Sequence, residues 1–201
     1  MSDDSSVCPP VIVPPISNSS SNHVQAGGTW CYDHKVMSDP PDMYAQLLGM
    51  AINRVCIWDP YIDEHGFPVF AFVPDGVEVQ CLTSMGYDGS KNLNDTRVGR
   101  FLTAVDGQRN RWVSRMTVRY YNSRHDDCGK NAFHDRYLFV DDHVYVVGNP
   151  LAHHAIRNGS TAIHRIETSA ARDLIRSMYT RYWNHTWTEQ VYPIGGVHYA
   201  I

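Results

Sequence analysis

The sequence predicts an α/β sandwich, because short apolar runs of strand length alternate with longer runs whose apolar residues recur at helical spacing. No internal repeat and no second linker divides these runs. The 201 residues, 43% of them hydrophobic, suffice for one buried core. Residues 1–28 are rich in Ser, Pro and Asn, including the run Ser17-Asn18-Ser19-Ser20-Ser21-Asn22. Such a stretch buries too little apolar surface to offset its ordering entropy, so it reads as a flexible arm. A single domain is expected over 29–201.

The elements follow in order. Asp39-Pro40-Pro41-Asp42 opens a helix over about 42–53, with Met43, Leu47, Leu48 and Ile52 at helical spacing. Arg54 to Trp58 is a short buried strand, closed by Asp59-Pro60-Tyr61 because proline cannot continue a central ladder. The alternation of Val77, Val79 and Cys81 predicts a strand over 77–83. Val98, Phe101, Leu102 and Val105 give a helix over 96–110, and Met116 to Tyr121 is the next strand. After a polar loop, Phe133–Val140 and Val144–Val147 form a hairpin around Asp141-Asp142. A strand near 162–166 and a helix over 169–183 follow, with Leu174, Ile175, Met178 and Tyr182 on one helix face.

Composition narrows the function classes. The net charge is −4 and the pI about 6.2, so any polyanion site must be local rather than a global basic field. No run approaches the roughly 18 apolar residues of a membrane span. The apolar patch at 11–16 is broken by Pro14 and Pro15, and acidic Asp3 and Asp4 replace the basic start of a signal peptide. Five cysteines (Cys8, Cys31, Cys56, Cys81 and Cys128) contain no CxxC pair, which argues against a disulfide framework or zinc ribbon and for a reduced, cytoplasmic compartment. His143, His153, His154 and His164 are near in sequence only, and no metal or other cofactor is expected.

The informative stretch runs from Phe133 to Leu151. With a side-chain period of two along a strand, His134 and Arg136 share a face and Asp135 takes the other. An imidazole beside a permanent cation suits a phosphate: the ring can attack phosphorus or shuttle a proton, and the guanidinium can clamp non-bridging oxygens. Asp141 closes the strand, and Gly148 allows close backbone approach.

His134-x-Arg136-x4-Asp141, then six residues, then Gly148-Asn149-x-Leu151, resembles the H-x-K-x4-D and G-S-x-N signature of the phospholipase D superfamily. Arg136 stands for the motif lysine, Asn149 for its serine and Leu151 for its asparagine, and the His-Asp-Arg form is similar to a variant within that superfamily. The resemblance implies an α-β-α sandwich with a central mixed sheet. It implies a metal-independent phosphodiesterase working through a phosphohistidine, with one histidine as nucleophile and another as general acid. That chemistry uses two motif copies and this chain has one, so a homodimer pairing two His134 residues is expected. The implied catalytic set is His134, Arg136, Asp141 and Asn149, with Glu167 as the acidic residue orienting the histidine. Arg136, Gly148, Arg157 and Tyr61 would touch substrate. Nucleic acid is the expected substrate, with membrane lipid the other phosphodiester class, and Arg97, Arg100, Arg109 and Arg111 are either a solvated face or a track for a phosphate backbone. The alternative is a PLD-like module that binds phosphoinositide or nucleic-acid phosphates without turnover. A third reading is a structural domain tethered by its arm.

Overall fold

A computed structural model describes residues 24–26, 28–32, 41–84, 97–108, 115–122, 133–149, 151 and 161–192. Among the described residues the strands are β1 (Val24–Ala26), β2 (Thr29–Tyr32), β3 (Arg54–Trp58), β4 (Glu78–Thr83), β5 (Met116–Tyr121), β6 (Tyr137–Val140), β7 (His143–Val147), β8 (Thr161–Arg165) and β9 (Thr188–Tyr192). The helices are α1 (Pro41–Gly49), α2 (Arg97–Asp106) and α3 (Ser169–Trp183), with a 3₁₀ segment at Phe67–Phe72.

All nine strands join one mixed sheet in the order β1-β2-β8-β7-β6-β3-β4-β5-β9. The centre, β3-β4-β5, is parallel, while β6 runs antiparallel to β3 and the remaining pairs are antiparallel. Central parallel strands are covered on both faces, and β3 shows it: Val55 and Ile57 join the core on one side, Cys56 and Trp58 on the other. On the first side, Met43, Tyr44, Leu47 and Leu48 of α1 are buried with Val98, Phe101 and Val105 of α2. Phe101 meets Phe67 and Phe70 at ring centroid distances of 6.1 and 5.7 Å. On the second side, α3 lays Tyr179 and Tyr182 over Trp58, which also contacts Phe133 and Tyr137, with centroids 5.2 to 6.0 Å apart. The α-β-α sandwich around a mixed sheet is therefore the observed architecture.

Several boundaries differ from the sequence reading for identifiable reasons. Helix α1 ends at Gly49 rather than near 53, because the N–H groups of Ile52, Asn53 and Arg54 donate to the Asp141 carboxylate instead of to helix carbonyls. The first strand, β1, lies inside the stretch read as an arm and pairs with β2. Edge strand β9 pairs with β5 and was not expected. On α3, Leu174 is 63% exposed, because the stripe packed against the sheet is Ile175, Met178, Tyr179 and Tyr182, the i, i+3, i+4, i+7 pattern, and Leu174 falls off it. No helix among the described residues is long and apolar enough to cross a membrane.

The registers define two ends of the sheet. Trp58 is opposite Tyr137, Tyr137 opposite Val146, and Val147 opposite Ile163. The C-terminal ends of β3 and β7 thus lie beside the N-terminal ends of β6 and β8. At the other end sit Arg54, Asp141, His143 and Arg165.

Candidate active site

The chain leaves β3 through Asp59, whose side chain is only 1% exposed. A buried carboxylate is costly unless its oxygens are occupied. Here Oδ1 accepts the N–H of Tyr61 at 2.8 Å and Oδ2 the N–H of Leu151 at 3.0 Å. Arg136 Nε lies 3.8 Å from Oδ1, an ion pair without a hydrogen bond. Burial nevertheless dominates and raises the Asp59 pKa, opposed by those two N–H groups and by Arg136.

His134 and Arg136 lie on the extended segment that enters β6, rather than within the strand itself. The Arg136 carbonyl accepts the Val147 N–H at 3.0 Å, which fastens this segment to β7. The Arg136 guanidinium donates through Nη1 to the Gly148 carbonyl at 3.2 Å and lies over the Tyr61 ring, 5.1 Å from its centroid. His134 is exposed, and its Nδ1 is 2.9 Å from the Tyr61 hydroxyl, a hydrogen bond whose donor is set by the tautomer. Tyr61 thus touches both motif side chains.

Gly148 continues the pairing by donating its N–H to the Ala162 carbonyl at 3.0 Å. A Cβ there would come within 3.2 Å of both that carbonyl oxygen and the Thr161 hydroxyl, so any larger residue would push β8 back by a few tenths of an ångström. The Asn149 N–H donates to Thr161 Oγ1 at 3.2 Å. Leu151 is 3% exposed and sits in the core, so this motif position presents its backbone N–H to Asp59 and no polar side chain to the site.

The structure brings together Tyr61, His134, Arg136, Gly148 and Asn149 at one sheet end, and it moves two expected members away. Asp141 is five residues beyond Arg136, roughly 17 Å along a strand, and therefore at the opposite end. Its carboxylate accepts the N–H groups of Ile52, Asn53 and Arg54 at 2.8, 2.8 and 2.9 Å, and its backbone adopts φ 48° in the β6–β7 turn. Asp141 is thus a turn anchor rather than a site residue. Glu167 also sits at the far end, exposed and paired with Arg165 at 2.8 and 3.1 Å, so it does not orient His134. Arg157, His153 and His154 lie outside the described residues, as do Arg109 and Arg111. Arg100 pairs with Glu64 at 2.7 Å.

Sequence reasoning missed Asp59, taken there as a strand terminator, and Thr161. The signal for Asp59 was its place between a buried strand and a tyrosine at a chain reversal. A separate cleft of about 290 Å³ at the Asp141 end is walled by Arg54, Cys56, Phe139, Tyr179 and Trp183. Burial pushes the Cys56 thiol there up to about 12, which leaves it unreactive at neutral pH. Among the described residues no group of three or more His, Cys, Asp or Glu is arranged to hold a metal ion.

No protein-family model and no curated protein matches the chain. Among solved structures it is similar to TrmBL2, an archaeal chromatin protein with a novel mode of DNA binding, at 16% identity and TM-score 0.45, over 83% of this chain and 54% of that one. It thus spans about half the length of that protein. It is similar to NucT from Helicobacter pylori at 14% identity and TM-score 0.49, over 70% of this chain and 84% of that one. It is also similar to Nuc from Salmonella typhimurium, a phospholipase D family member, at 12% identity and TM-score 0.48, over 74% of this chain and 88% of that one.

Proposed function

We propose that this protein is a metal-independent phosphodiesterase of the phospholipase D superfamily that acts on nucleic acid through a phosphohistidine at His134. The observation that carries the reading is the exposed His134 imidazole, engaged at Nδ1 by Tyr61 and set beside an Arg136 guanidinium that is tied to buried Asp59. With Nδ1 engaged, Nε2 is the nitrogen free to reach a phosphorus atom.

In the proposed reaction the Nε2 lone pair attacks phosphorus and forms a P–N bond, while the P–O bond to the leaving group breaks. The leaving oxygen takes its proton from the His134 imidazolium of a second copy of the chain, across a two-fold axis. Water then attacks the phosphohistidine, gives its proton to that same imidazole, and releases the phosphate monoester as the P–N bond breaks. Arg136 binds the non-bridging oxygens throughout, the task its planar fork suits. The Gly148 carbonyl holds that guanidinium, and Asn149 supports the site beside it. Asp141 and Glu167 take no part.

One observation favours a second reading, a phosphate-binding module without turnover. Leu151 occupies the position where the motif it resembles carries a polar asparagine, and its side chain is buried in the core.

Cleavage of labelled single- and double-stranded DNA, RNA and a generic phosphodiester in EDTA tests the proposal, wild type against His134→Ala. Cleavage in EDTA that disappears in the variant is expected. EDTA-sensitive cleavage, or cleavage retained by His134→Ala, would contradict the mechanism, and binding of phosphate polymers by a folded wild type that cleaves none of them would favour the module.

A further inference from the structure

Tyr61 is held at three points, and each holder belongs to the candidate site. Its backbone N–H donates to Asp59 Oδ1 at 2.8 Å, its ring lies under the Arg136 guanidinium at 5.1 Å, and its hydroxyl meets His134 Nδ1 at 2.9 Å. The imidazole itself is on an exposed segment outside regular strand, and the bond to Tyr61 restrains its otherwise broad last torsion. Half a turn of that ring would put Cδ2 where Nδ1 stands and Cε1 where Nε2 stands, and so withdraw the attacking nitrogen.

We infer that Tyr61 is the positioning residue of this site, its phenol oxygen accepting the Nδ1–H of His134 so that Nε2 carries the lone pair. The inference rests on the reading of His134 as nucleophile and adds the group that makes it one.

Three features support it. The acidic candidate for this role, Glu167, is at the other end of the sheet, and the partner found at Nδ1 is the phenol. A phenol is a neutral acceptor, so it orients the ring without placing a negative charge beside an incoming phosphate. Arg136 sits over the same ring, so the group that clamps the phosphate also fixes the group that aims the nucleophile. Buried Asp59 ties the two together, holding the Tyr61 backbone and attracting Arg136 with one carboxylate.

The test compares wild type with Tyr61→Phe, which keeps the ring and its contact with Arg136 but removes the oxygen. Long-range 1H–15N spectra of the imidazoles in the full chain read the tautomer of His134, assigned with His134→Ala. Wild type is expected in the Nδ1–H form, with that preference lost in Tyr61→Phe. Hydrolysis of bis(4-nitrophenyl) phosphate in EDTA should show a loss of kcat with KM little changed, the signature of a group that acts on the reacting nitrogen rather than on substrate binding. An Nε2–H tautomer in wild type, or spectra unchanged by Tyr61→Phe, would overturn the inference, as would a rise in KM at constant kcat. If the tautomer shifts as expected while wild type hydrolyses nothing, the positioning role holds and the hydrolytic reading fails.

Discussion

Two aspartates, Asp59 and Asp141, anchor opposite ends of the same sheet in opposite environments. Asp59 is 1% exposed and takes two backbone N–H groups plus the attraction of Arg136, yet burial still lifts its pKa. Asp141 lies at a surface turn. Its modest burial would raise its pKa, but the N–H groups of Ile52, Arg54 and Asn53 outweigh that and hold it below the usual carboxylate range. The first holds the Tyr61 backbone and attracts Arg136 at one end of the sheet; the second closes a hairpin and starts a strand. One motif spacing reaches from one end to the other, so residues written together as H-x-R-x4-D divide between two ends of the sheet.

The comparison breaks most severely at Asp59. Asp59→Leu leaves two buried N–H groups and Arg136 without their partner and should destabilise the fold by about 3–5 kcal/mol, the range for removing one member of a buried pair. Urea unfolding measures it, and a loss under 1 kcal/mol would show that water replaces the carboxylate. Asp141→Ala should cost less, about 1–2 kcal/mol, because solvent can rehydrate the released N–H groups and alanine is only moderately strained at positive φ. The two sites should also tilt stability in opposite directions with pH. Asp141, with its folded pKa lowered, contributes stability that is complete above its unfolded value near 3.9 and is lost as pH falls through the folded value. Asp59, with its folded pKa raised, instead weakens the fold as pH rises from about 3.9 toward its folded value. Acid titrations of unfolding for wild type and Asp141→Asn should therefore converge at low pH and separate above it. The smallest effect belongs to Glu167→Gln, which removes an exposed pair with Arg165 and should leave both cleavage and melting temperature within experimental scatter.

Much of this was legible from residues alone. The short apolar run of β3, the alternation in β4, the apolar spacing of α1 and α3, and the hairpin around Asp141-Asp142 all specify their elements locally. The short outer strands β1, β2 and β9 were not, because their pairing depends on neighbours distant in sequence rather than on a local pattern. Within the site, His134, Arg136 and Gly148 were readable from spacing, and Tyr61 was read as a substrate contact. Spacing names the members of a motif but leaves open which end of the strand each occupies. A rise of about 3.3 Å per residue already separates Arg136 from Asp141, but contact between Asp59 and Leu151, 92 positions apart, exists only once the strands are paired. The same holds for Tyr61 and His134, 73 positions apart.

The most direct test of the division of labour is one paired measurement: cleavage of labelled nucleic acid in EDTA and thermal melting, for wild type, His134→Asn and Asp141→Asn, assayed well below the lowest melting temperature. The account predicts that His134→Asn melts like wild type and does not cleave, while Asp141→Asn melts lower and cleaves at close to the wild-type rate. Loss of cleavage in folded Asp141→Asn, or persistent cleavage in His134→Asn, would contradict it.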